Sequence, residues 1–243
     1  AGNKRARDAM NDEWDRLIKK KVWDYSEVRD WSEVASSARR GGTTVHLGRI
    51  FGIMVLKSSE LPDGHPNQKY KYRVVFQGNN VVDQDWAAAI FADMGSSPAS
   101  MEAGKMTDAY SCLPGHSLEQ ADAEQAYVQA KLEGHETWIC LPDECLERHR
   151  DDPAYHHLFF DKAGNRLLNR PCVRLEYALY GHPDAGSCWE RHCDRQLVSK
   201  GFEPVENWPS CYFHNVLKLM LMVYVDDFKL AGPKGNMKEG WRI

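Results

Sequence analysis

An α+β fold, with antiparallel strand pairs and helices alternating along the chain, is predicted by three features of the sequence. Strand-like and helix-like segments follow one another without a regular repeat or a low-complexity linker. Two β-rich runs, IFGIMVLK and YKYRVVFQG, flank a turn-rich loop, LPDGHPNQ, as an antiparallel pair does. A later apolar run, LKLMLMVYVDDFKLAG, is interrupted by two adjacent acids, and strand, acidic turn, strand is its simplest reading. The 243 residues suffice to bury one good core or two small ones that share an interface.

Residues 8–23 place Met10, Trp14, Leu17, Ile18 and Val22 near helical spacing, which predicts an amphipathic helix ending around Trp23. The polar stretch SSARRGGTT and the two strands follow. In the second strand, alternation puts Lys69, Lys71 and Arg73 on one face and Tyr70, Tyr72 and Val74 on the other. Three cations on one face suit an anion, and a solvated strand face has the same pattern. Ser97 followed by Pro98 fits an N-cap with proline at the first helical position, predicting a helix from Pro98 towards Tyr110. After a loop through Pro114 and Gly115, LEQAD reads as a short strand ending at Asp122, and AEQAYVQAKL as a helical or turn segment. TWICLP is a further strand. The polar stretch from Asp143 to Arg170, with a hairpin-like DKAGNR, is expected to be a surface elaboration. From Ala185 to Lys200, Trp189, Cys193 and Leu197 form a helical stripe, and SCYFHN with a turn near Val216 leads into the last apolar run.

No apolar run approaches membrane-spanning length, and the start AGNKRARDAM lacks a hydrophobic signal core, so an intracellular protein with no membrane partner is expected. The chain is also expected to be a piece of a longer polyprotein. Its seven cysteines are odd in number and scattered, which suits reduced, mostly buried thiols. Neither Cys188 with His192 and Cys193, nor Cys145 with His149, has the paired knuckle that would complete a zinc tetrahedron. With a formal charge of −4, any grip on nucleic acid must come from local cations such as Lys19, Lys20, Lys21, Arg39 and Arg40, and the Lys69 to Arg73 strand.

Asp226 and Asp227 stand where buried strand residues are expected. Two carboxylates about 4 Å apart repel by roughly 4 kcal/mol at an effective dielectric of about 20, and burial adds a desolvation cost, so a divalent cation is the natural resolution. Successive strand residues point to opposite faces, so both acids reach one site only from a tight turn, which predicts a hairpin at Val225-Asp226. No glycine relieves that turn, and a strained backbone is expected at Val225 or Asp226. Two Mg²⁺ ions, with Mn²⁺ as a substitute, are bound in this way by carboxylates and substrate phosphates, and Asp122 is the best third acid. The alternative is that Asp122 is a helix N-cap and the pair an ordinary turn.

VYVDDFKLAG resembles the Tyr-X-Asp-Asp palm hairpin of reverse transcriptases, and QADAEQAYVQAKLEG resembles the copia-type segment in which a catalytic Asp precedes an Ala-aromatic pair. RLEYALYGHPDAGSCW is similar to the copia-type leucine-tyrosine-glycine stretch, and KYKYRVVFQGN to its basic fingers strand. The likeness runs from about Trp14 to Gly232. It implies the fingers and palm of a reverse transcriptase over residues 1–243, an antiparallel palm sheet packed on helices, with residues 1–115 mainly N-terminal helix and fingers, 116–243 mainly palm, and the chain truncated before the thumb.

The resemblance implies an RNA-directed DNA polymerase from the Pol polyprotein of a copia-type LTR retrotransposon. Asp122, Asp226 and Asp227 would be its catalytic and metal-holding residues. Tyr127 would be the steric gate against a ribose 2′-hydroxyl, Lys71 and Arg73 would meet the triphosphate, and Tyr180 and Gly181 would line the nucleotide pocket. The implied partners are an RNA or DNA template-primer, deoxynucleoside triphosphates, and the thumb, RNase H and integrase of the polyprotein. The implied location is the cytoplasm, in a virus-like particle, or the nucleus. His182, Pro183 and Asp184 depart from the basic and amide residues usual after leucine-tyrosine-glycine, and Gln77 stands where Arg is common. Two alternatives remain open: an inactive or co-opted remnant that binds nucleic acid or protein, and another palm-type nucleotidyl transferase that acts without a template.

Overall fold

The structure, a computed structural model, describes residues 3–62, 64–91 and 96–243; Ala1, Gly2 and Asp63 of the predicted LPDGHPNQ loop lie outside the described residues. Along the chain run α1 (Lys4–Lys19), β1 (Trp23–Asp30), α2 (Trp31–Gly41), β2 (Val45–Lys57), β3 (Lys69–Phe76) and β4 (Val82–Asp83). Then come α3 (Met101–Ser111), β5 (His116–Asp122), a 3-10 turn (Tyr127–Gln129), β6 (Glu136–Cys140), α4 (Asp143–Arg148) and α5 (His156–Phe159). The last elements are β7 (Pro171–Leu175), α6 (Ala185–Ser199), β8 (Phe202–Pro204), β9 (Cys211–His214), β10 (Leu219–Tyr224), β11 (Asp227–Pro233) and α7 (Lys234–Arg242). The α+β class expected from the sequence is what the chain adopts. No helix among the described residues is long and apolar enough to cross a membrane.

Two compact units interleave along the chain: Ala1–Ala92 with Leu132–Ala185, and Asp93–Lys131 with Gly186–Ile243.

The first unit is built on a sheet of order β1-β7-β6-β2-β3, with β4 paired to β2. The antiparallel β2–β3 pair forms as expected, from Ile50 opposite Phe76 to Lys57 opposite Lys69. β2 also pairs in parallel with β6, from Val45 opposite Glu136 to Arg49 opposite Cys140. Apolar faces of α2 and the sheet meet through Trp31, Val34, Ala35, Ala38, Leu47, Trp138 and Cys172.

Three expectations for this unit are corrected in whole or in part. The first helix stops at Lys19, and Trp23 opens a strand. Lys21 takes φ 54°, and the N–H groups of Lys21 and Val22 donate to the carbonyls of Ile18 and Leu17. That is a Schellman end, in which Val22 and Leu17 are both buried, but it carries Lys where glycine is the usual signal. The helix α2 begins ahead of the polar stretch SSARRGGTT and takes in its first half: Asp30 caps it by accepting from the Ser32 N–H, and Gly42 at φ 62° ends it. The stretch 143–170 is largely at the surface, as expected, but its first part is anchored in a core. Cys145, Leu146, His149, Phe159 and Phe160 are buried, and Tyr25 of β1 donates to or accepts from His149 Nε2 at 2.9 Å.

The second unit is an antiparallel sheet, β5-β11-β10-β9-β8, with a core of Trp189, Cys193, Phe202, Tyr212, Leu219, Leu221, Val223, Leu230 and Met237. Its first helix begins later than predicted. Ser100, not Ser97, is the N-cap, its hydroxyl accepting from the Ala103 N–H at 3.2 Å, so Pro98 lies ahead of the helix. The segment after Asp122 is a turn with one 3-10 loop, one of the two conformations expected for it.

Candidate functional site

β10 and β11 pair from Met220 opposite Ala231 to Tyr224 opposite Asp227, leaving Val225 and Asp226 as a two-residue loop. The hairpin expected from the two acids is therefore present. Val225 takes φ 58°, whereas Asp226 has no positive φ. A positive φ at the first loop position alone is the pattern of a II′ turn, which ordinarily has glycine there; a β-branched residue in that region is strained. Two hydrogen bonds hold the turn. The Trp189 indole Nε1 donates to the Val225 carbonyl at 2.6 Å, and the Ala123 N–H donates to the Asp226 carbonyl at 2.7 Å.

On its other edge β11 pairs with β5, and the register sets Asp227 directly opposite Asp122. Directly opposed residues project to the same face of a sheet with their Cβ atoms about 5 Å apart, and like charges so placed destabilise the ladder. Asp122 and Asp227 are exposed and Asp226 is half-buried. This corrects one step of the sequence argument: the acids are not buried, so water relieves much of the desolvation cost that was expected to require a cation. What remains is the direct opposition of two carboxylates. No protein cation among the described residues pairs with any of the three acids; Lys229, two residues along β11, is held by Asp108 at 2.7 Å instead. An open groove of about 420 Å³ is lined by Gln120, Asp122, Met222, Tyr224, Asp227 and Lys229.

Tyr127 follows Asp122 through a turn in which Gln125 takes φ 54° and Ala126 is fully buried. Its half-buried ring packs on the core of the second unit. Burial, and then the nearby Asp226 carboxylate, raise its phenol above the ordinary value. A small pocket behind it, lined by Tyr127, Gly186, Trp189, Tyr212, Val223 and Val225, has about 20 Å³ for the centre of a water-sized sphere, room for one water and no more.

The remaining predicted residues belong to the first unit. Lys71 and Arg73 lie on the exposed face of β3, as alternation requires, with Tyr72 and Val74 buried behind them. The Arg73 guanidinium stands over the Tyr180 ring, 5.4 Å from its centroid. The Phe76 N–H donates to the Tyr180 carbonyl at 2.7 Å, strapping that segment across the end of β3. Gly181 takes φ 87°, and a Cβ there would collide with the Phe76 carbonyl oxygen, so only glycine fits. Arg73, Tyr180 and Gly181 are thus brought together, as are Asp122, Asp226, Asp227 and Tyr127.

Among the described residues no group of three or more His, Cys, Asp or Glu side chains, Asp122, Asp226 and Asp227 included, is gathered closely enough to hold a metal ion by itself. The acids fit a different kind of site. Magnesium takes one or two carboxylates and completes its shell with water and substrate phosphate oxygens, for which exposed, opposed acids at a groove are suited. The Cys145-His149 pair is occupied with Tyr25, Cys145 Sγ lying 3.6 Å from its hydroxyl. Trp189 and Ala123 are the site residues the sequence did not single out; Trp189 was legible only as a core position on its helix. No protein-family model matches the chain, and no curated protein does.

Proposed function

We propose that this chain is the fingers and palm of a copia-type LTR retrotransposon reverse transcriptase, an RNA-directed DNA polymerase. The observation that carries the reading is the register of Asp122 against Asp227 beside a strained Val225-Asp226 turn that presents Asp226. The reaction is attack of a primer 3′-hydroxyl on the α-phosphate of a deoxynucleoside triphosphate paired to a template, with pyrophosphate leaving.

Asp122, Asp226 and Asp227 supply the oxygen donors for two Mg²⁺ ions, or Mn²⁺ in their place, which when bound neutralise the phosphates and favour the attacking oxygen. The protein's own part is chiefly positioning. The sheet register fixes Asp122 and Asp227 on one face, and the Trp189 and Ala123 hydrogen bonds fix the turn that carries Asp226. The Tyr127 ring, braced by the core, is the barrier to a ribose 2′-hydroxyl. Lys71, Arg73, Tyr180 and Gly181 keep the nucleotide-binding roles that the resemblance implies.

The test is single-nucleotide extension of a DNA primer on an RNA template with Mg²⁺ or Mn²⁺. Extension is expected from the chain supplemented by a thumb segment, and Asp226→Asn or Asp122→Asn should lower it by roughly a thousandfold. The formal charge of −4 favours a second reading, an inactive remnant retained for binding. Tight template-primer binding without extension by the supplemented protein would establish that one, and turnover of triphosphate without template would establish a different nucleotidyl transferase.

A further inference from the structure

We propose that Cys140 and Cys172 are a reversible disulfide site, with Cys140 the thiol that meets a small-molecule disulfide such as oxidised glutathione and Cys172 the thiol that resolves it. This inference is independent of the polymerase reading. Cys140 ends β6 and Cys172 lies in β7, directly opposite it in the antiparallel register. Opposed antiparallel residues have Cα atoms about 4.5 to 5.5 Å apart, inside the range a disulfide spans without backbone movement. The two sulfurs are 3.4 Å apart, so a closure of about 1.4 Å brings them to the S–S bond length of about 2 Å.

The two thiols differ in ways that assign their roles. Cys140 is partly buried and Cys172 is fully buried, so of the two an oxidant in solution reaches Cys140 first. The hydrogen bond shared with the Cys172 thiol, together with the charges of Arg170 and Arg49, holds the Cys140 thiol below the ordinary cysteine value against the opposing effects of burial and Asp30. Arg49 is the register neighbour of Cys140 on its other side, in β2. Cys140 is therefore the better nucleophile, flanked by a cation on one strand and a thiol on the other.

In the first step the Cys140 thiolate attacks one sulfur of glutathione disulfide. A mixed disulfide forms and one glutathione thiolate leaves on the exposed side. In the second, Cys172 attacks the Cys140 sulfur from the buried side and the second glutathione thiolate departs, taking up the proton that Cys172 loses. Two protein thiols are oxidised and one glutathione disulfide is reduced to two glutathiones.

The experiment incubates the full chain with oxidised glutathione, blocks the remaining thiols with an alkylating agent, and maps each cysteine by peptide fragmentation, which also separates Cys140 from neighbouring Cys145. The exposed Cys112 reports that the oxidant is active. The expected result is a Cys140–Cys172 cross-link, a loss of two hydrogen masses in most molecules, reversed by dithiothreitol. Cys172→Ala should instead accumulate glutathione on Cys140, and Cys140→Ser should leave Cys172 unmodified. The proposal is overturned if, with Cys112 modified, wild-type Cys140 stays free or keeps a stable glutathione adduct. A cross-link in the wild type with no adduct on Cys140 in Cys172→Ala would overturn the assignment of Cys140 as the entry thiol.

Discussion

Val225 is held where its own side chain disfavours it. A branched Cβ at φ 58° costs about 1 to 3 kcal/mol, and the turn keeps that conformation because its two carbonyls are gripped from outside, by Trp189 Nε1 and by the Ala123 N–H. Trp189 is thus a positioning residue for Asp226, acting through the backbone and not through substrate. Trp189→Phe keeps most of the buried ring and deletes the donor, so it should cost stability about 1 kcal/mol, the net value of one hydrogen bond. Its effect on nucleotide addition should be larger than that loss explains. Well below the unfolding midpoint, kcat is expected to fall roughly ten- to a hundredfold with the KM for template-primer unchanged, because a small displacement of an aligned group is expensive. Equal, small losses in both parameters would reduce Trp189 to a core residue.

The ends of helices show why some elements were easier to read than others. The two Schellman ends, at Lys21 and at Gly42, have the same backbone form, yet only the second has the residue that form prefers. At Lys21 the burial of Val22 and Leu17 across the motif overrides the αL penalty. Lys21→Gly removes that penalty while keeping the hydrogen bonds, so it should raise stability by about 1 kcal/mol, a few degrees in thermal midpoint. A fall in the midpoint would show that the unfolded-state entropy of glycine dominates. The signal for α2 is local: Asp30 as cap, Trp31, Val34, Ala35 and Ala38 at helical spacing, and Gly42 as terminator.

Acid should destabilise the molecule, mainly through buried imidazoles of its first unit. His182 is packed against Phe76 and Phe91 with the Thr137 hydroxyl at 3.3 Å, and burial, then His46, push it down to about 4. His46 is lowered too, by burial and then by His135, against the opposing pull of Asp83. The folded chain keeps His182 neutral at a pH where the unfolded chain protonates it, so the unfolded state binds more protons. The stability that follows is full above about pH 6.5 and is lost as pH falls towards 4, by roughly 3 kcal/mol from His182. His182→Asn should flatten that part of a denaturation profile; an unchanged slope between pH 6.5 and 4 would assign acid sensitivity to other groups. Because each compact unit is assembled from two separate stretches of chain, this sensitivity belongs to residues 1–92 and 132–185 together, not to one contiguous segment.

Local chemistry by itself determined the β2–β3 pair, the cationic face of Lys71 and Arg73, the strand ending at Asp122, the stripe of α6 and the strained acidic hairpin. Each of these depends on alternation, helical spacing or turn geometry within a few neighbouring residues. Only the tertiary structure decided that Asp122 stands opposite Asp227, that Trp189 braces their turn, that Tyr25 draws the first part of the polar 143–170 stretch into a core, and that Cys140 meets Cys172. Those pairings join residues far apart in sequence. Strand order and register are set by which buried faces fit together in the whole chain, and no window of neighbouring residues carries that information.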